Sequence, residues 1–108
     1  MDKLQPRVSI PRKVTRGEIV EVRTLISHPM ETGYRRNRYG EKLPKHIIEH
    51  FTAHYLGEQV FSADFGPGIA ANPYLSFYLR VTRSGQVKLS WVDDSNKHWE
   101  SDHEITVT

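Results

Sequence analysis

Residues 73–92 read PYLSFYLRVTRSGQVKLSWV, and this stretch decides the fold. Apolar side chains occupy every second position on both sides of a turn signal at Ser84-Gly85. A period of two is that of a β-strand with one buried face. The positions predicted to face the core are Leu75, Phe77, Leu79 and Val81 before the turn, and Val87, Leu89 and Trp91 after it.

The same alternation continues along the rest of the chain. Residues 18–27 place Val20, Val22, Thr24 and Ile26 on one side, and residues 97–108 place Trp99, Ile105 and Val107 on one side. Short alternating segments separated by turn signals predict an all-β fold, an immunoglobulin-like antiparallel β-sandwich of about seven strands. The chain has no cysteine for the disulfide of antibody domains, and Trp91 is a candidate to fill that space.

The segment His46–Leu56 is compatible with two structures. As a helix, it would carry an apolar stripe that begins near Pro44. As a strand, it places Ile47, Phe51, Ala53 and Tyr55 on one face, and Ile48 with the histidines on the other. Its Phe, Thr, Tyr and Ile content favours the strand, and Gly57 then begins a turn into a second strand over Gln59–Phe65.

His46, His50 and His54 have a spacing that on a helix would suggest a metal site, since residues four apart lie about 6 Å from each other. On a strand, four residues span about 13 Å. Because Zn–N bonds are only about 2 Å long, two such histidines would not readily hold one zinc ion. The strand prediction therefore makes these histidines a polar outer face, and we expect no metal or other cofactor.

Size and composition indicate one soluble domain. The chain has 108 residues, of which 37% are hydrophobic and 26% charged. We expect a flexible arm over residues 1–6 and the sandwich over 7–108. No apolar run reaches the roughly 18 residues of a membrane span. The start, MDKLQPRVSIPRK, lacks the apolar region of a signal peptide, which on residues alone favours the cytoplasm.

Charge is distributed unevenly although the net charge is only +2. Residues 1–45 carry 11 Lys/Arg against 5 Asp/Glu, and residues 46–108 carry 4 against 8. This asymmetry is typical of a polar protein–protein contact, and it is also compatible with an ordinary solvated surface.

No catalytic motif stands out. The absence of cysteine excludes thiol nucleophiles and thiolate metal sites in this chain. Ser27-His28 has no nucleophile elbow around it, and no phosphate-binding glycine motif is present. Asp93 and Asp94 occupy a predicted turn, and Glu100, Asp102 and Glu104 alternate as the exposed face of a strand should.

The long connection Met30–Lys45 interleaves arginines with Tyr34 and Tyr39. Such a pattern could hold single-stranded nucleic acid, but Tyr and Arg are also enriched at protein–protein hot spots, which is the interpretation we prefer. Phe65, Tyr74 and Tyr78 flank the predicted core face. They form either an outward aromatic patch for a partner or a second core layer.

Two stretches are more specific than the alternation of apolar and polar residues: LISHPMETG at residues 25–33 and AANPYLSFY at residues 70–78. With GEIVEVRT at 17–24, GEQVF at 57–61 and ITV at 105–107, they make the chain resemble the SoxZ family over about residues 7–108. The resemblance implies a non-catalytic immunoglobulin-like subunit that pairs with SoxY, whose cysteine carries thiosulfate-derived sulfur to the other enzymes of the Sox pathway. It also implies a periplasmic location reached together with SoxY, which overrides the cytoplasmic expectation.

The resemblance supplies no catalytic residues, and the arginine-rich YRRNRYG at 34–40 departs from typical members. We expect partner contacts through this loop and the aromatic positions. The predicted partner-binding residues are His28, Pro29, Met30, Arg35, Arg36, Tyr39, Phe65, Asn72, Tyr74 and Tyr78. The rival functions are a stand-alone protein-binding sandwich and a histidine-dependent metal protein; a nucleic-acid or membrane partner is not expected.

Overall fold

The computed structural model describes residues 6–28, 30–66 and 72–108, and they form a two-sheet β-sandwich. One sheet has three strands in the order β1-β3-β6, and the other has five in the order β2-β8-β7-β4-β5. All strand pairs are antiparallel except β2 with β8. The strands are β1 Pro6–Ser9, β2 Lys13–Val14, β3 Ile19–Ile26, β4 Ile48–Tyr55, β5 Glu58–Asp64, β6 Tyr74–Arg80, β7 Gly85–Asp93 and β8 His98–Val107. The predicted all-β sandwich is confirmed.

The core lies between the two sheets and is built from the alternating apolar positions. Val22 and Phe77 enter it from the three-stranded sheet, and Phe51 and Trp91 from the five-stranded sheet. The ring centroids of Phe51 and Trp91 are 5.0 Å apart, and those of Phe51 and Phe77 are 6.0 Å apart. Tilted ring pairs at these separations are favourable, so the aromatic residues join the sheets as well as filling the interior.

The segment from His46 to Leu56 is a strand hairpin with β5, as predicted, but the prediction for Ile48 was wrong. Strict alternation placed Ile48 on the outer face, whereas the structure buries it completely. The reason is an irregularity in the pairing of β4 with β7 between Ile48 and His50. A β-bulge of this kind inserts one unpaired residue, so Ile48 and Phe51 both point into the core.

The connection from β6 to β7 passes from one sheet to the other and is held by one buried tyrosine. The hydroxyl of Tyr55 accepts hydrogen bonds from the amides of Thr82 (3.2 Å) and Arg83 (3.0 Å). The same hydroxyl donates to the carbonyl of Arg83. Three backbone groups of the crossing are thereby satisfied by a side chain of β4, a role comparable to that of tyrosine corners in other sandwiches.

No helix among residues 6–28, 30–66 and 72–108 is long and apolar enough to cross a membrane.

Candidate partner-binding surfaces

The outer face of the three-stranded sheet exposes large side chains. Because Phe77 and Leu79 of β6 point into the core, the alternate residues Tyr74 and Tyr78 point to solvent, where they are 60% and 72% exposed. Ile19 of β3 lies on the same face and is 54% exposed. Tyr74 and Tyr78 therefore face outward and do not form a second core layer, whereas Phe65, the third residue of the predicted patch, packs against the core.

Arg23 lies between the two tyrosines. It is paired across the sheet with Ser76, whose small side chain separates Tyr74 from Tyr78 along β6. The guanidinium Nε donates to Glu21 Oε1 at 2.8 Å, and this bond, with the charges of Glu21 and Tyr74, raises the pKa of Arg23. We call the surface formed by Ile19, Arg23, Tyr74 and Tyr78 the tyrosine face. Tyr and Arg side chains are enriched at protein-binding hot spots.

A shallow apolar groove of about 270 Å³ borders the tyrosine face. Tyr74 and Leu25, which are neighbours across β6 and β3, line it together with Arg7 of β1. The groove gives this edge of the sheet a concave surface into which a partner side chain can pack.

The connection over residues 30–45, which we call the finger, is an ordered hairpin. At its base, Glu31 and His46 exchange two backbone hydrogen bonds of 2.7 Å. At its tip, Asn37 Oδ1 accepts from the amides of Tyr39 (2.8 Å) and Glu41 (3.1 Å), and Gly40 takes a φ of 80° to close the turn. Backbone and side-chain hydrogen bonds thus fix a segment that the sequence indicated only as a long loop.

The base of the finger is buried, which corrects the placement of two predicted contact residues. His28 is 1% exposed and Met30 is 5% exposed, so neither forms the surface. His28 Nδ1 accepts a 3.0 Å hydrogen bond from the amide of Met30, and Met30 Sδ accepts one of 3.3 Å from the amide of Ile48. Asn72 bonds the backbone of His28 twice, at 2.9 and 2.7 Å. These residues anchor the finger to β3, β4 and the start of β6.

Asp93 is the buried charge at this end of the sandwich. Its Oδ1 accepts from the amide and hydroxyl of Ser95 and from the amide of Lys97, at 2.8–3.0 Å. Its Oδ2 lies 3.0 Å from His46 Nε2. Burial by itself would raise the pKa of Asp93, but the hydrogen bonds from Lys97, His46 and Ser95 outweigh it, and the pKa is lowered.

His28, His46 and Asp93 lie close enough together to raise the question of a metal site, with ligand atoms within 4.8 Å of one another. The hydrogen bond from Met30 to His28 Nδ1 argues against it. In neutral imidazole only one nitrogen carries a proton, so His28 Nε2 is the N–H and has no lone pair for a metal. His46 and Asp93 are two ligands, fewer than the three that a catalytic zinc requires. Of the three, only His46 and Asp93 are hydrogen-bonded to each other; His28 packs against the His46 ring at a centroid distance of 4.4 Å, and its Nε2 has no hydrogen-bond partner among the described residues.

His28 predicts a pH dependence of stability. Burial, and next the proximity of His46, lowers the pKa of His28 below its ordinary value of 6.5. Protonation would also place a proton on Nδ1, facing the Met30 amide. As the pH falls, the unfolded chain protonates this histidine at a higher pH than the folded chain does. The contribution of neutral His28 to the free energy of unfolding is therefore present above pH 6.5 and is lost as the pH falls toward the folded-state pKa.

We therefore expect the free energy of unfolding to decrease between about pH 7 and 5, with a slope of at most about 1.4 kcal/mol per pH unit from this group. Burial lowers the pKa of His103 as well, so the wild-type slope contains both histidines. Urea unfolding across this range should show a smaller slope for His28→Gln than for the wild type. Equal slopes would show that His28 does not titrate on unfolding.

The remaining predicted residues do not come together in one place. Arg35, Arg36 and Tyr39 lie exposed on the finger, Phe65 is half-buried against the core, and Pro29 lies outside the described residues. Of the three spaced histidines, His50 contacts Asp64 at 2.6 Å while His46 contacts Asp93. Sequence reasoning missed Arg23 and Ile19 on the tyrosine face and the burial of Asp93. Arg23 and Ile19 could have been found only by combining the alternation of side chains along β3 and β6 with the pairing register of the two strands.

One family model matches the chain. It is described as "Sulphur oxidation protein SoxZ" and covers residues 8–104, nearly the whole length. No curated protein sequence matches the chain.

Several solved structures share the fold at low sequence identity. The superoxide reductase (neelaredoxin) from Ignicoccus hospitalis is 23% identical, with a TM-score of 0.75 over 96% of this chain and 80% of that one. The sulfur carrier protein SoxY from Chlorobium limicola is 16% identical, with a TM-score of 0.67 over 98% and 86%. A superoxide reductase and a sulfur carrier protein thus share this sandwich, so the fold by itself does not decide what the chain does.

Proposed function

Because the chain belongs to the SoxZ family of sulphur oxidation proteins, we propose that it is the non-catalytic subunit that binds SoxY and supports the presentation of cysteine-bound sulfur to the enzymes of thiosulfate oxidation. We place this complex in the periplasm. The reactive thiol belongs to the partner, in keeping with a chain that contains no cysteine.

The tyrosine face is the observation that carries this proposal. A lasting subunit contact needs a largely apolar centre with aromatic and arginine anchors, surrounded by polar residues. The tyrosine face has two exposed tyrosines, Ile19 and the adjoining groove at Leu25, with Arg23 already oriented by Glu21. We assign SoxY binding to this face and not to the finger, whose exposed side chains are predominantly charged.

Coexpression with the SoxY subunit encoded alongside it tests the proposal. We expect a 1:1 complex that stays together on a sizing column, with the sulfur species detected by mass spectrometry on the SoxY cysteine alone. Two species that migrate independently at micromolar concentration would disprove the subunit role. Turnover of thiosulfate by the isolated chain would disprove the non-catalytic part.

Tyr78→Ala is the sharpest test of the surface. Loss of an exposed aromatic anchor at the centre of an interface should weaken SoxY binding by about tenfold or more, measured by calorimetry. Tyr34→Ala is the matched control, because Tyr34 is 79% exposed on the finger and lies outside the tyrosine face. An unchanged affinity for Tyr78→Ala, with a weakened complex for Tyr34→Ala, would move the interface to the finger.

A further inference from the structure

We propose that the finger is a second docking element, which binds an acidic surface on the enzymes that act on the SoxY-bound sulfur. This inference rests on the proposed function, since it concerns the complex of this chain with SoxY. It assigns to the finger a contact that is separate from the subunit interface.

The charge of the finger is the first argument. Residues 30–45 contain five Arg/Lys and two Asp/Glu. Arg35 is paired with Glu31 at 2.8 Å, while Glu41 accepts from the amide of Asn37. Among the described residues no carboxylate forms an ion pair with the other four cations, which are Arg36, Arg38, Lys42 and Lys45. Their charge is therefore available to an external acidic surface.

The finger holds its cations in place before any partner arrives. Arg36 donates from Nη1 to the carbonyl of Gly40 at 2.7 Å. The guanidinium of Arg38 lies 5.1 Å from the ring centroid of Tyr39, and its Nη2 is 3.1 Å from the tyrosine hydroxyl. The backbone between them is closed by the pairing of Arg36 with Lys42. Because the side chains and the backbone are already ordered, binding loses less conformational entropy than it would with a mobile loop.

The position of the finger permits simultaneous use of both surfaces. The finger follows β3, which ends at Ile26. Tyr78 is paired with Glu21, five residues before that end. Five residues of a strand span about 16 Å. Tyr74, at the other end of the tyrosine face, is paired with Leu25 next to the end of β3, so we place the third protein at the tip of the finger, around the pairing of Arg36 with Lys42.

An acidic protein fits these features better than a nucleic acid. The finger carries five cations on one short hairpin, whereas residues 46–108 carry 8 Asp/Glu against 4 Lys/Arg, with Glu100, Asp102 and Glu104 exposed along β8. An extended polyanion would meet this negative stripe as well as the finger. A protein patch of a few carboxylates meets only the finger, and ionic contacts of this kind favour fast, reversible encounters.

The test measures binding of the purified chain–SoxY complex to each purified enzyme that acts on the SoxY cysteine. The double variant Arg38→Glu, Lys42→Glu should lower the association rate by about tenfold or more at low salt, and the difference should shrink as salt screens the charges. The control Arg83→Glu, Lys88→Glu makes the same charge change at two exposed positions near the start of β7. It should leave the rate close to that of the wild type.

Three results would overturn the inference. The first is an association rate that is equal for the finger variant and the control. The second is a loss of SoxY affinity in the finger variant, and the third is salt-sensitive binding of the wild-type complex to oligothymidylate that disappears in the finger variant. The second result would leave SoxY binding intact as a function and assign the finger to that interface. Failure of the wild-type chain to bind SoxY at all would instead disprove the proposed function.

Discussion

Replacing Asp93 with alanine is expected to lower the free energy of unfolding by about 3–5 kcal/mol, since it removes a buried charge that several donors depend on. The carboxylate is the acceptor for Ser95 and for the amide of Lys97, and it orients His46 at the base of the finger. Without it, these donors at the end of the sandwich lose their acceptor. Urea unfolding at neutral pH measures the loss directly.

The contribution of Asp93 also has a pH signature. Because the folded-state pKa of Asp93 lies below its ordinary value of 3.8, the stabilisation is present above that pH and is lost as the pH falls through the folded-state pKa. The difference between wild type and Asp93→Ala should therefore shrink in acid. Asp94→Ala is the control, because among the described residues the Asp94 side chain accepts a single hydrogen bond, of 3.3 Å from the amide of Ile47. A loss at Asp94 as large as that at Asp93 would contradict this account.

Tyr55→Phe is expected to cost about 2 kcal/mol, since it removes one hydroxyl and leaves up to three backbone groups without their partner. Those groups are the amides of Thr82 and Arg83 and the carbonyl of Arg83, where the chain crosses from β6 to β7. The ring stays and continues to fill the core, so the loss reports on the hydrogen bonds and not on packing. Thermal unfolding of the purified chain measures it.

Tyr39→Phe makes the same chemical change on the finger. Within the described part of the chain, its hydroxyl is bonded to the exposed Arg38 alone, so we expect a loss below about 0.5 kcal/mol. Comparing the two variants separates the stabilisation by the buried Tyr55 hydroxyl, at the β6–β7 connection, from that by a solvent-exposed tyrosine hydroxyl. Equal losses at the two positions would mean that water replaces the Tyr55 hydroxyl at the crossing.

Part of the candidate surface was predictable because strand alternation assigns side chains to faces. The period of two in residues 73–82 directs Tyr74 and Tyr78 away from Phe77 and Leu79, and the structure confirms this direction. The strand prediction for residues 46–56 likewise placed His50 and His54 on the face opposite Phe51, Ala53 and Tyr55, as the burial pattern of β4 confirms. The same rule failed at Ile48, because a bulge changes the count of residues between core positions and depends on the pairing with β7.

The local sequence determined the strands, the all-β class of the domain and the family resemblance. Hydrophobic periodicity and short motifs are properties of consecutive residues, so they can be recognised without the tertiary structure. Tertiary structure alone decided which distant residues meet. Arg23 joins Tyr74 and Tyr78 only through the register of β3 with β6, and Asp93 meets His46 across 47 positions of the chain. The finger likewise owes its order to His28, Asn72 and Ile48, whose contacts arise when the sheets pack. Burial and long-range hydrogen bonds depend on that packing, so no pattern of neighbouring residues contains them.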